Sequence, residues 1–196
     1  MNLTKRQQEI ISIATRQIAS HGVKKLTIKT IAKELGVTEP ALYRHFSSKH
    51  EILQTLITCY AEDVNASLDK ARTAKTGLEQ LQEYILSREE RYAAAPEWGR
   101  LSFCEELFYN DEGLALDILA QFNKVRVELE AMIRRGQEDG SIRRDIPVRG
   151  IYLLVFGAHR ILLTEWCYNN FKFDYPKEVD RLREEIRTLL TPAKRS

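Results

Sequence analysis

Residues 26–49 read LTIKTIAKELGVTEPALYRHFSSK, and this stretch decides the fold. Ile28, Ile31, Ala32 and Leu35 recur at i, i+3, i+4 and i+7, one apolar face of a helix. Thr27 stands just before that face as a side-chain cap, and Gly36 just after it can take the left-handed conformation that ends a helix. Val37 re-enters the core, and Thr38 can cap a second short helix. Pro40 is tolerated in its first turn, where an N–H has no intrahelical partner anyway. Leu42 and Phe46 face inward, which leaves Glu39, Ala41, Tyr43, Arg44 and His45 facing out. The pattern predicts a helix-turn-helix whose second helix is of the kind that enters a major groove. Ser48 and Glu51 then make an S-x-x-E capping box, so a long helix begins near Lys49. Lys49 falls in its first turn, where backbone N–H groups and a cation can hold a phosphate together.

Charge outside this stretch agrees. The 196-residue chain has a formal net charge of +2, yet residues 1–60 hold nine Lys and Arg against four acids, so the remainder is net acidic. A basic head on a mildly acidic body suits a polyanion at one end only. Lys24, Lys25 and Lys33 read as solvated charges. No apolar run approaches the ~18 residues that span a membrane, and the N-terminal MNLTKRQQE lacks an apolar signal region, so the expected location is the cytoplasm. Cys59, Cys104 and Cys167 are odd in number, widely spaced and without C-x-x-C. They read as small apolar residues or free thiols, with no disulfide framework, metal site or cofactor expected. The four histidines are scattered. With no G-x-S-x-G, phosphate loop or H-E-x-x-H, and with Glu89-Glu90 and Glu105-Glu106 turned apart by adjacency, no enzyme is expected.

The rest of the chain reads as helix, giving an all-α class. Thr4 and Gln7 cap a first helix with an apolar face at Ile10, Ile11, Ala14 and Ile18, ending near Gly22. From Ser48 a long helix continues through Leu53, Leu56, Ile57, Tyr60, Val64 and Leu68, with no linker between head and body. Residues 73–77 are a weak break before a helix from Leu78 to Ala95, stopped by Pro96. Residues 97–110 hold aromatics in a short helix or two. Another long helix runs to about Asp139, with Ala115, Ile118, Phe122, Val125, Leu129 and Met132 spaced by threes and fours, a coiled-coil-like seam. The helix from Val148 to about Asn170 is apolar nearly all round, so it must be buried on two sides, one of them by a partner. A charged amphipathic helix, about 176–190, closes the chain. The domain boundary is drawn between residues 47 and 48: a helix-turn-helix head, 1–47, and a helical body, 48–196.

The run T-x-x-x-I-A-x-x-x-G-V-T-x-x-x-L-Y-x-H-F-x-S-K, from Thr27 to Lys49, resembles the DNA-binding signature of the TetR family of transcriptional regulators. The resemblance implies that Tyr43 and Lys49 contact phosphates, and a phenol and a cation near a helix N-terminus suit that chemistry. Thr27 can donate to the DNA backbone or serve only as a cap. Lys29, Thr38, Glu39, Pro40, Ala41, Arg44 and His45 are placed to meet base edges or nearby phosphates. Arg44 suits guanine, Glu39 can accept from cytosine N4, and Pro40 and Ala41 can pack on thymine methyls. Glu39 reads equally well as a first-turn acid favoured by the helix dipole.

The same resemblance implies a homodimer on a palindromic double-stranded DNA operator, most often a repressor, released by a small molecule bound in the body. Candidates to line that site are Tyr84, Trp98, Phe103, Phe108, Phe122, His159, Leu163 and Trp166, each of which reads as well as plain core. Arg160 can pair with Glu165 or an acidic ligand group. Phe122, Val125, Leu129, Ile151, Leu154, Ala158 and Ile161 are the candidates for the dimer interface. Two other readings stay open. One is a nucleoid-associated or division-regulating DNA-binding protein without an effector. The other is a helical carrier or enzyme that keeps the head as a scaffold.

Overall fold

The computed structural model describes residues 1–102 and 112–193. Among these, every regular element is helical: α1 Lys5–His21, α2 Ile28–Leu35, α3 Glu39–Tyr43, α4 Lys49–Arg72, α5 Gly77–Ala94, α6 Pro96–Leu101, α7 Glu112–Asp139, α8 Val148–Tyr168 and α9 Tyr175–Leu190, with a 3-10 turn at Val23–Lys25. The all-α class read from the sequence holds. The helices pack as two units, one from Met1–Asp63 with Glu97–Gln121, the other from Val64–Pro96 with the chain from Phe122 onward. α4 and α7 each contribute residues to both units.

In the first unit, the capping box of α1 forms as the sequence predicts. Gln7 N–H donates to Thr4 Oγ1 at 3.3 Å, and Thr4 N–H donates to Gln7 Oε1 at 3.1 Å. Ile10, Ile11, Ile13, Ala14 and Ile18 of α1 share one apolar cluster with Ile31 and Ala32 of α2, Leu42 of α3, Phe46, and Ile52, Leu53 and Leu56 of α4. Leu101 and Leu114 join the same cluster. Burying each such side chain stabilises by roughly 1.5–3 kcal/mol. Helices of eight and five residues are marginal alone, so this cluster holds α2 and α3 in place. Gly36 ends α2 at φ 72°, ψ 30°, the left-handed region that L side chains avoid.

Two expected caps differ. Thr38 stands at the N-cap of α3, but its side chain makes no cap hydrogen bond. Glu51 N–H donates to Ser48 Oγ at 3.1 Å as expected, but the Glu51 carboxylate accepts from the N–H and hydroxyl of Ser47, at 2.6 and 2.7 Å. The box at the start of α4 is therefore spread over two serines.

The second unit is built around α5, against which α9 packs most closely. Gly77 sits where α5 meets α7 backbone to backbone: a Cβ there would collide with Gly136 N and Met132 O. The free N–H groups of α5 are taken up from across the unit. Gly77 N–H donates to Asp139 Oδ2 at 2.8 Å, and Leu78 N–H to Ser141 Oγ at 3.2 Å. Pro96, expected only to stop α5, opens α6.

α8 is apolar on two sides, as read from the sequence, and within the chain it buries one of them. Ile151, Tyr152, Val155, His159, Leu163, Trp166 and Cys167 are buried, whereas Leu153, Leu154 and Ile161 are open.

Candidate nucleic-acid interface

With Leu42 and Phe46 buried, the side chains on the other side of α3 and its following turn are left to solvent. Tyr43 is half exposed and Arg44, Thr38, Glu39 and Pro40 are exposed, with Ala41 and His45 partly covered. Thr27 and Lys29, at the start of α2, are exposed as well. The structure brings these residues together on one head, but it gives Thr27 a definite local task. Thr30 N–H donates to Thr27 Oγ1 and Thr27 N–H donates to Thr30 Oγ1, both at 3.0 Å. Its cap role is therefore realised.

The charges on this head divide into two groups. Arg6 pairs with Glu9 at 2.8 Å, and Arg16 with Glu34 at 2.9 Å. Hydrogen bonds from Gln17 and Arg16 hold the Glu34 carboxyl below its usual range. Among the described residues Lys24, Lys25, Lys29, Lys33 and Arg44 make no ion pair. Uncompensated cations concentrated near α2 and α3 are what phosphate neutralisation requires. Lys49 Nζ donates to the Val23 carbonyl at 2.9 Å, and burial lowers its pKa.

Two glutamines of α1 support this surface from behind. Gln17 accepts from the Thr30 hydroxyl at 2.8 Å, and Gln7 donates to the His45 carbonyl at 3.2 Å. Sequence reading gave Gln7 only its place in the capping box and passed over Gln17, because polar residues on an amphipathic helix carry no sign of what distant atoms they will meet.

In the second unit, the large side chains predicted to line a ligand site are mostly buried around a polar core. Tyr84, His159, Leu163 and Trp166 are buried, and Phe122 is half-buried with the Arg160 guanidinium 5.9 Å from its ring centre. Trp166 stacks on Tyr175 at 4.5 Å and donates from its indole N–H to Phe173 O at 3.1 Å. Trp98 belongs to the first unit, where it stacks on Tyr60 at 5.9 Å. Phe103, Phe108, Cys104, Glu105 and Glu106 lie outside the described residues.

The polar core includes residues that sequence reasoning missed. Arg88, only 2% exposed, donates to Tyr92 Oη at 3.1 Å and to Ser67 Oγ at 3.4 Å. His159 Nε2 lies 3.3 Å from Tyr175 Oη. Burial, with the charge of Arg88 second, pushes the His159 pKa down to about 4, and burial also raises those of Tyr175 and Glu89. The one sequence signal was Arg88 and Tyr92 at i, i+4, one helical face.

Of the interface candidates, Val125, Leu129 and Ile151 are buried within the chain's own second unit. Already covered side chains have no surface to give a partner. Leu154 and Ile161, 54% and 63% exposed, each lie about one turn from the partly covered Ala158 on the open face of α8.

Comparison with known proteins identifies both parts. Residues 10–56 match the family described as bacterial regulatory proteins, tetR family, and residues 112–191 match the YsiA-like protein C-terminal region. The chain belongs to the TetR family of transcriptional regulators. The probable acrEF/envCD operon repressor of Escherichia coli K12 is 25% identical to it over 203 residues, covering 96% of this chain and 88% of that protein. The nucleoid occlusion factor SlmA of Vibrio campbellii is 29% identical over 182 residues, 90% of this chain and 91% of that one. Among solved structures, the regulator FadR of Bacillus subtilis, in complex with stearoyl-CoA, superposes with a TM-score of 0.77 at 22% identity over 92% of this chain and 97% of that one. The TetR-type fold extends over nearly all of the chain.

Proposed function

We propose that this TetR-family chain acts in the cytoplasm as a homodimeric transcriptional repressor, binding a near-palindromic DNA operator and released by a small organic molecule. The observation that carries the reading is the open face of α3 and its turn, with Tyr43 and Arg44 exposed over a buried apolar cluster, and Lys29 and Lys33 on the same unit exposed and, among the described residues, without an ion pair. In this reading Tyr43 and Lys49 hold phosphates, while Arg44, with Thr38, Glu39, Pro40, Ala41 and His45, faces base edges. Two copies are needed because one short helix offers too few base contacts for strong specificity. The open face of α8, Leu154, Ala158 and Ile161, is the surface proposed to join them.

The effector is proposed to act on the second unit, among Tyr84, Phe122, His159, Leu163 and Trp166. A ligand that prefers one arrangement of that body shifts the spacing of the two heads, and DNA affinity with it. α4, which contributes residues to both units, is the covalent route for such a change.

Selection from a randomised duplex pool tests the reading. Enrichment of a near-palindrome with half-sites about one helical turn apart, or a multiple of that, is expected. A chain that enriches nothing and binds heparin as well as duplex is no regulator of this kind. Stearoyl-CoA, the ligand in the FadR complex, is the first effector probe.

The likeness to SlmA supports a second reading, a DNA-binding protein without an effector. Chromosome-wide occupancy separates the two. A few sites beside regulated genes favour the repressor, and many dispersed sites with no ligand-dependent release favour the alternative.

A further inference from the structure

α3 is short, and it is held in the core by Leu42 and, just beyond it, Phe46. Of its five residues only Leu42 is buried, and the Thr38 side chain contributes no cap bond. Leu42 O accepts from the N–H groups of His45 and Phe46 at 2.9 and 3.2 Å, while the carbonyls of the turn that follows have no intrahelical donor and need one from elsewhere. Just past α3, the carbonyl of His45 accepts from the side-chain amide nitrogen of Gln7 at 3.2 Å, across 38 residues of sequence. The oxygen of the same amide accepts from the N–H and the hydroxyl of Thr4, each at 3.1 Å. Gln7 therefore uses both ends of its amide. One end closes the cap of α1, and the other grips the turn that carries Tyr43, Arg44 and His45. Ile10 and Ala14, one and two turns further along α1, are buried in the core of the head, so Gln7 stands on a fixed base.

We propose that Gln7, a partly covered residue of α1 outside the candidate DNA contacts, is a positioning residue for operator recognition: its hydrogen bond to the His45 carbonyl fixes the turn from which Tyr43, Arg44 and His45 leave the head. The idea rests on the reading of α3 as the groove-entering helix. The plane held at this oxygen joins His45 to the buried Phe46, and His45 N–H donates back to Leu42 O at 2.9 Å, so fixing it fixes the end of the one turn that carries Tyr43, Arg44 and His45. Base recognition requires bidentate geometry, whereas phosphate attraction tolerates displacement. Loss of the bond therefore weakens specific binding more than non-specific binding.

Gln7→Glu isolates the role. The carboxylate still accepts from Thr4, as in an ordinary capping box, so α1 remains capped. It cannot donate to His45 O. Its added negative charge repels every duplex alike and cancels in the ratio of specific to non-specific affinity. The probes are the duplex that the wild-type protein enriches from a randomised pool and a scrambled duplex of equal length. The expected ratio falls about fivefold per head, the worth of one ordinary hydrogen bond, and on the order of 25-fold for a dimer using two heads. Gln7→Met, isosteric and uncharged, should show the same fall, while Thr4→Ala, which removes the cap hydroxyl but leaves the backbone N–H of position 4 to hold the Gln7 amide oxygen, should leave the ratio unchanged. An unchanged ratio in both Gln7 variants overturns the positioning role, as does an equal fall in Thr4→Ala, which would make the cap the cause. A wild-type protein that enriches no duplex at all overturns the DNA reading itself.

Discussion

Lys49 shows how one side chain can serve structure and recognition at once. Its Nζ gives one hydrogen to Val23 O, and an ammonium has three donors, so two are left for a phosphate. Lys49→Met keeps most of the stem and loses both roles. It should lower stability by about 1 kcal/mol for the lost hydrogen bond, weaken binding to every duplex, and reduce the salt dependence by about one phosphate. A salt slope identical to that of the wild type would leave Lys49 with the Val23 contact alone. His159 makes a different point, because its neighbours suppress its charge. Its pKa is about 4 in the folded chain against 6.5 for an ordinary histidine. The unfolded chain therefore binds the extra proton first as pH falls below 6.5. Stability present above that pH is lost on acidification toward 4, by at most about 1.4 kcal/mol per pH unit. Among the groups around it, Arg88 opposes protonation, Tyr175, whose pKa burial raises, stays neutral, and Glu89, whose pKa burial also raises, favours the folded state as pH falls. The readout is therefore a difference. Between pH 6.5 and 5 the wild type should lose about 1–2 kcal/mol more than His159→Gln in urea unfolding. Parallel losses would show that His159 takes up its proton in the folded chain.

Among the elements, α5 shows most clearly how packing decides what a sequence reading leaves open. The residues before it read as a weak break, and Gly77 as part of that break. In the structure Thr76 caps α5 locally in a box with Glu79, but Gly77 is the point of contact between α5 and α7, and Asp139 and Ser141, at and just past the end of α7, take up the N–H groups of Gly77 and Leu78. Nothing local in TAKTG announces this, because the partner atoms lie about 60 residues away in the chain. Gly77→Ala must push the two helices apart, and overpacking against backbone has no flexible side chain to absorb it. We expect a loss of about 3 kcal/mol or more by denaturant unfolding. Gly157 on α8 is the control. A Cβ there meets nothing of its own chain within 4 Å, so Gly157→Ala, measured in the background of Ile161→Asp so that no partner covers α8, should be neutral or gain up to about 1 kcal/mol in helix propensity. Equal behaviour of the two variants would contradict the close approach at Gly77.

For the molecule as a whole, the question is what covers the outer side of α8. Leu153, Leu154 and Ile161 are open in the single chain, on a helix whose opposite face is core. Ile161→Asp places an unpaired charge within the proposed twofold contact, once from each copy. The expected result is a folded monomer by sedimentation, with helical content unchanged and operator affinity strongly reduced. Dimers of wild-type strength would put the contact on another surface.

The sequence by itself determined the local events: the helices, the caps at Thr4 and Thr27, the left-handed Gly36, the helix-turn-helix and its outward residues, and the two-sided α8. These follow from periodicity and from side chains acting on backbone within one turn, which the order of residues encodes directly. It also carried the family, since the signature from Thr27 to Lys49 is contiguous. Only the tertiary structure decided that Gln7 grips His45 O, that Lys49 reaches Val23, that Arg88 and Tyr175 enter a buried polar core with His159, and that Val125, Leu129 and Ile151 are covered by their own chain. Each of these depends on which distant atom lies opposite a side chain, and a helix's apolar face specifies that it will be buried without specifying against what.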